Sequence, residues 1–115
     1  MNAILRNSNR TQVLLTAAML RKIPKLYEQD NLGDNQIVHL KLFGGAWTWY
    51  VSEIDPESLH AFGIVFSNIC PEGEAGYMDL REIAALRMPP FGTGVERDTF
   101  FKPTPLKDCK NPCTR

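Results

Sequence analysis

Residues 37–54 read IVHLKLFGGAWTWYVSEI, and this stretch decides the predicted fold. Apolar and polar residues alternate over residues 37–43, which predicts a half-buried strand. Two glycines then supply a tight turn, and the alternation resumes over residues 46–54. In that second strand Trp49 and Tyr50 must point to opposite faces. The stretch therefore predicts a β-hairpin with aromatic side chains on both faces.

Further elements are predicted on both sides of this hairpin. They are strands over 61–69 and 74–78 and short amphipathic helices over 16–24 and 79–87. Thr16 and Asp79 precede the two helical patterns and are suitable N-caps. We therefore expect an α+β fold: a four-stranded antiparallel meander sheet with two short helices packed on one face and an extended C-terminal tail along an edge.

The length and composition are those of one globular domain. The chain has 115 residues, of which 43% are hydrophobic and 23% are charged. This size supports one core but not two. We expect a single domain over residues 13–107, a flexible leader over residues 1–12 and a C-terminal tail over residues 108–115.

The charge balance bears on the choice of partner. Thirteen basic residues offset thirteen acidic residues, which disfavours a role that depends on general attraction to nucleic acid. Residues 1–25 contain five basic residues and no acid, which we interpret as a solvated helix face. No apolar run is long enough to span a bilayer, and no signal-peptide pattern is present, so a cytoplasmic location without membrane association is expected.

The cysteines predict neither disulfides nor a metal site. Cys70, Cys109 and Cys113 are an odd number, and a chain of this size can fold without disulfides. Cys109 and Cys113 could contribute two zinc ligands, but a structural site needs four. We expect reduced thiols, no bound metal and no cofactor.

A series of short motifs in a fixed order resembles the bacterial family known as domain of unknown function 2958, over residues 13–107. The motifs are Leu26-Tyr27, Leu40-Lys41-Leu42-Phe43, Thr48-Trp49-Tyr50 followed by Glu53 and Asp55, Phe62-Gly63, Gly76-Tyr77, Glu96-Arg97-Asp98, and Phe101 with Pro103, Pro105 and Leu106. The chain departs from the family where Arg87 is followed by Met88-Pro89-Pro90, since relatives tend to have Arg-Gly-Pro there.

The resemblance implies a setting rather than an activity. Members look like accessory genes of conjugative plasmids, integrated elements and phages, often near antirestriction genes. The resemblance also draws attention to residues within these motifs that packing alone does not require. These residues, which we predict to form one binding cluster, are Trp49, Tyr50, Glu53, Tyr77, Glu96, Arg97 and Asp98.

Three functions are compatible with the sequence. The favoured one is an accessory protein that binds a host protein or complex, such as a defence nuclease, in a counter-defence role of the anti-restriction or anti-CRISPR type. The first alternative is a single-stranded nucleic-acid-binding module, in which sheet aromatics such as Trp49 and Tyr50 stack on bases. The second is a carboxylate-dependent hydrolase built on Glu53 and the acids around Arg97. No catalytic motif supports the enzyme, and a structural role in which Arg97 pairs with a carboxylate such as Glu53 is favoured over it.

Overall fold

The computed structural model describes residues 3–112. In chain order the strands are β1 Ala3–Arg6, β2 Val13–Thr16, β3 Ile37–Val38, β4 Leu40–Gly44, β5 Trp47–Ile54, β6 His60–Phe66, β7 Glu74–Asp79, β8 Arg87–Met88, β9 Thr93–Gly94, β10 Glu96–Arg97 and β11 Thr104–Pro105. The α-helices are α1 Ala17–Lys22 and α2 Leu80–Ala85, and the 3-10 helices are Asp30–Asn35 and Leu106–Asp108.

The central sheet is the predicted meander with one more strand. Its order is β10-β4-β5-β6-β7, and all its pairings are antiparallel. The expectation of four strands is wrong because the tail does more than follow the edge: β10 pairs with β4 and becomes a fifth strand. The predicted first strand also divides at His39, since β3 pairs with β11 while β4 pairs with β5.

Alternation along the strands gives the sheet two differently covered faces. On the helix face, Leu42, Trp49 and Val51 pack with Leu14 and Ile83 in the larger core. On the opposite face, which we call the tail face, a smaller core is formed by Val38, Tyr50, Phe66, Leu106 and Cys109. Both helices contribute to the first core, as the sequence predicts, and the C-terminal tail covers part of the second.

The helices are shorter than predicted but begin at the predicted caps. The Thr16 hydroxyl accepts a hydrogen bond from the Met19 N–H at 3.1 Å, and the Asp79 carboxylate accepts one from the Arg81 N–H at 2.9 Å. Each side chain satisfies one of the N–H groups that a helix start leaves open. No helix within residues 3–112 is long and apolar enough to cross a membrane.

The N-terminal residues are more regular than expected. We predicted no regular structure before Val13, yet Ala3–Arg6 form β1, which pairs antiparallel with β2. The Asn7 side chain organises the connecting turn by accepting from the Thr11 and Gln12 N–H groups. This stabilisation depends on a single side chain in a polar loop, which hydrophobic periodicity does not reveal.

Candidate functional site

The seven residues predicted to form one cluster lie in separate parts of the molecule. Trp49 is 5% exposed in the helix-face core, and Tyr50 is 5% exposed in the tail-face core. Glu53 lies at the end of β5 and Tyr77 on β7, whereas the Glu96-Arg97-Asp98 motif follows the opposite edge of the sheet. The structure brings Glu53 and Tyr77 into one region and leaves the tail motif away from them.

Tyr50 has a structural role beneath the tail. Its hydroxyl donates a hydrogen bond to the Lys110 carbonyl oxygen at 2.6 Å, and its ring meets Phe66 edge to face at 5.9 Å between centroids. Burial raises the pKa of Tyr50 to about 12, with further contributions from Cys109 and Asp98. Trp49 is equally enclosed, with Trp47 stacked against it at 5.9 Å. Neither ring can be reached by a nucleobase in this conformation.

The tail motif fastens the tail to the sheet, but not through the predicted pair. Lys41 and Asp98 form an ion pair at 3.3 Å. Gln12 adds a reciprocal pair of hydrogen bonds to the Arg97 main chain, at 2.7 and 3.1 Å. The expectation that Arg97 pairs with Glu53 is wrong, because strand spacing places them roughly 15 Å apart. Instead, Arg97 Nη1 contacts the Met19 sulfur at 3.1 Å, and its buried Nε has no hydrogen-bond partner within residues 3–112.

Glu53 is a buried carboxylate that organises a neighbouring loop. It is 3% exposed and follows an irregularity in the β5–β6 register between Val51 and Glu53. Its two oxygens accept hydrogen bonds from the Tyr27 N–H at 2.9 Å and the Gln29 N–H at 2.7 Å. The Gln29 amide in turn donates to the Ser52 carbonyl oxygen at 3.1 Å. The role of Glu53 is therefore to hold the loop after α1 against the sheet.

The loop that Glu53 holds presents an aromatic ring to the surface. Tyr27 adopts φ of 75°, a left-handed conformation that is costly for a bulky side chain. Its ring centroid lies 6.4 Å from that of Tyr77, which lies 5.2 Å from that of Phe62. Tyr27 and Tyr77 are 60% and 64% exposed. We call these three residues the aromatic surface; it occupies the part of the tail face beside β7.

Two acidic residues, Asp30 and Glu53, lie near Tyr77. The hydrogen bond with Tyr27 raises the pKa of Tyr77, and the negative charges of Asp30 and Glu53 act in the same direction. The sequence identified Tyr77 and Glu53, but it did not connect Tyr27 or Phe62 with them. Both belong to the family-like motifs, but only the pairing of Phe62 with Tyr77 and the path of the loop after α1 reveal their proximity.

A cavity lies next to α1, apart from the aromatic surface. This cavity has a volume of about 780 Å³. Arg21, Lys22 and Lys25 line it together with Glu28, so its rim carries a net positive charge. The sequence interpretation of these basic residues as a solvated face remains a prediction.

Two further kinds of reactive group are metal-binding side chains and thiols. No group of three or more His, Cys, Asp or Glu side chains suited to a metal ion occurs within residues 3–112. Cys70 and Cys109 are free thiols, and burial raises the pKa of Cys109 to about 11. Cys113, the other cysteine considered as a potential zinc ligand with Cys109, lies outside the described residues.

The fold and the site define a small α+β protein with an antiparallel five-stranded sheet and an aromatic surface formed by β6, β7 and the strained loop that carries Tyr27. A family model described as a protein of unknown function, DUF2958, matches residues 10–107, so the chain belongs to this family. The predicted resemblance is thereby confirmed. Comparison with curated protein sequences and with solved structures gives no significant match.

Proposed function

We propose that this protein acts by binding another protein through the aromatic surface of Tyr27, Phe62 and Tyr77. The observation that carries the proposal is the conformation of Tyr27: a strained backbone, fixed by a buried carboxylate, holds a tyrosine ring that is 60% exposed. Folding alone gains little from such an arrangement, because the ring stays largely in water. Strained residues held by their surroundings are typical of binding sites.

Tyrosine is well suited to this role. A tyrosine ring gives a partner a large apolar area, while its hydroxyl can still form a hydrogen bond. Tyrosine has few rotatable bonds and is among the residues enriched at the energetic centres of protein interfaces. The Phe62 ring packs beside Tyr77 and extends the apolar area of the surface. The aromatic surface thus combines contact area with a preset geometry.

The biological role we propose is that of an accessory protein of a plasmid, an integrated element or a phage. Its partner would be a host protein or complex, with a defence nuclease as the type of target, and the protein would act in the cytoplasm. The support for this setting is the family resemblance, and the aromatic surface supplies a physical means of binding. The proposed function requires no catalytic residue, cofactor or metal.

Nucleic acid is the second candidate partner, and a different region favours it. Arg21, Lys22 and Lys25 line one cavity, and clustered cations of this kind can follow a phosphate backbone. This site would rely on charge, because the sheet aromatics Trp49 and Tyr50 are buried. Binding there would fall steeply with added salt and would not involve the aromatic surface.

Affinity capture from a natural host tests the proposal. The tagged protein is compared with a Tyr27→Asn/Tyr77→Ser variant, in which asparagine tolerates the left-handed backbone. The matched control is Phe91→Asn/Phe100→Ser, which removes two exposed rings elsewhere on the surface. We expect the captured protein to decrease by about tenfold or more with the first variant and to be unchanged with the control.

Nuclease treatment of the lysate separates the two candidate partners. A captured protein that persists after nuclease treatment and depends on the two tyrosines supports the proposal. Equal capture by the tyrosine variant, with its melting temperature unchanged, would show that the aromatic surface is not the binding site. Capture that disappears with nuclease and with Arg21→Ala/Lys25→Ala would assign the protein to the nucleic-acid class.

A further inference from the structure

The strand β7 forms an open edge of the central sheet. It pairs with β6 on one side, and no strand within residues 3–112 pairs with its other side. The Leu80 N–H donates to the Leu59 carbonyl oxygen at 3.1 Å, directly after β7. Hydrogen-bonded residues alternate along an antiparallel strand, so Leu80, Met78, Gly76 and Glu74 direct their main-chain groups toward β6. The residues between them, Ala75 and Tyr77, therefore direct their N–H and C=O groups away from β6. These groups face outward and can receive another strand.

Two features that often prevent strand addition, proline and lysine, are absent from β7. Natural edges are protected by proline, by lysine or by a covering segment. Residues 74–79 read EAGYMD and contain neither proline nor lysine. Ala75 is exposed, and a Cβ at Gly76 would meet no atom within 4 Å. The backbone of β7 can therefore be approached closely from outside.

Apolar side chains flank the open edge on both faces of the sheet. On the tail face lies the aromatic surface, which includes Tyr77. On the helix face a cavity of about 350 Å³ is lined by Trp47, Val65 and Ile69, among others, and reaches Gly76. An added strand alternates its side chains between two faces, so successive residues would reach the aromatic surface and this cavity in turn.

The charge around the edge selects the partner. Glu72 and Glu74 lie on or next to β7, and residues 72–79 contain no basic residue. Asp79 adds a third carboxylate at the end of the strand, where it also caps α2 and pairs with His60 at 3.6 Å. Asp30 adds negative charge near Tyr77. A second copy of this chain is disfavoured, because its β7 would bring the same acidic residues to the edge. Complementary charge requires a segment that carries lysine or arginine.

We propose that the partner contributes an extended, positively charged segment that adds to the sheet as a sixth strand beside β7. This inference rests on the proposed function, because the aromatic surface is one wall of the same site. The segment alternates apolar residues, which contact the two walls, with lysine or arginine residues near Glu74 and Asp79. Main-chain hydrogen bonds to Ala75 and Tyr77 fix its register.

A displayed library of random short peptides is the probe for this inference. It is selected on the wild-type protein, and the enriched peptides are compared for binding to Ala75→Pro and Ala75→Thr. Proline removes an outward N–H and leaves the β6 pairing in place, while threonine keeps that N–H. Glu74→Lys is a second variant that alters charge without touching the backbone. Melting temperatures and backbone spectra verify that each variant is folded.

We expect enriched peptides of net positive charge with alternating apolar residues. Their affinity should fall by about tenfold or more with Ala75→Pro and with Glu74→Lys, and should be retained with Ala75→Thr. Bound peptide should slow hydrogen exchange at the Ala75 and Tyr77 amides. Enrichment of acidic peptides, equal binding to Ala75→Pro, or self-association of the protein through β7 would each overturn the inference.

The same variants distinguish this inference from the proposed function. If host-protein capture is lost with Tyr27→Asn/Tyr77→Ser but retained with Ala75→Pro, the aromatic surface binds the partner and strand addition is wrong. If capture is retained with all of these variants, the proposed function fails as well. Loss of capture with both the tyrosine variant and Ala75→Pro supports both.

Discussion

Replacement of Glu53 by alanine should destabilise the protein more than any change at an exposed acid. Glu53 is almost fully buried, and its carboxylate accepts the Tyr27 and Gln29 N–H groups at 2.9 and 2.7 Å. The change removes the acceptor for both donors at once. It also releases the restraint that keeps Tyr27 in its left-handed conformation.

The magnitude follows from these two contacts. A hydrogen bond to a charged group contributes about 1.5–3 kcal/mol, so two of them give a loss of about 3–6 kcal/mol in the free energy of unfolding. Relief of strain at Tyr27 offsets roughly 1 kcal/mol of that loss. For a domain of this size the result is a decrease in melting temperature of roughly 10–20 °C. Glu53→Gln keeps one acceptor oxygen and should lose about half as much.

Urea unfolding followed by tryptophan fluorescence measures this effect, because Trp47 and Trp49 lie in or against the helix-face core. The midpoint should decrease with an unchanged slope if only stability changes. Glu96→Ala is the matched control, since Glu96 is exposed, and it should change stability by less than about 0.5 kcal/mol. A loss below about 1 kcal/mol for Glu53→Ala would refute the claim that this carboxylate holds the loop.

Glycine, cysteine and histidine positions provide three further tests. Gly63→Ala should cost at least about 2 kcal/mol in urea unfolding because its Cβ would overlap a carbonyl oxygen of β5, whereas Gly76→Ala should stay within about 1 kcal/mol. In a Cys113→Ala variant, Cys109 should react with a thiol reagent near pH 8 about tenfold more slowly than Cys70. The reason is that burial raises the pKa of Cys109 to about 11, and equal reaction rates would contradict its burial. Burial lowers the pKa of His39 below its usual 6.5, so the unfolded chain binds a proton at a higher pH than the folded protein does. Stability should therefore fall as the pH decreases below about 6.5. The His39→Gln variant should show a weaker pH dependence of stability, and an unchanged pH dependence would contradict this role of His39.

Hydrophobic alternation predicted the central meander because it records which side of a strand is buried. Trp49 and Tyr50 lie on opposite faces as predicted, and the caps Thr16 and Asp79 start the helices. The tail was predicted to follow an edge of the sheet, but its pairing as a fifth strand was not predicted, because β10 contains two residues, too few for any alternation. Its pairing depends on Gln12 and Lys41, which lie far away in the sequence.

The candidate site was only partly predictable for a related reason. Charge and aromatic character identified Glu53 and Tyr77 as residues that packing does not require. The same criteria added Arg97, which lies across the sheet from them. The decisive features are the left-handed backbone of Tyr27 and its hydrogen bond to Glu53, a contact between residues 26 positions apart. Short-range sequence patterns do not encode such a contact.

Hydrogen exchange of the free protein and of its complex with the captured partner tests the central claim most directly. We expect partner binding to slow hydrogen exchange in two peptides, one that covers β7 and one that covers the loop at Tyr27. Exchange around α1 and in the tail segment at 96–101 should change little. Protection confined to α1 or to that tail segment, with β7 and the Tyr27 loop unchanged, would contradict the account.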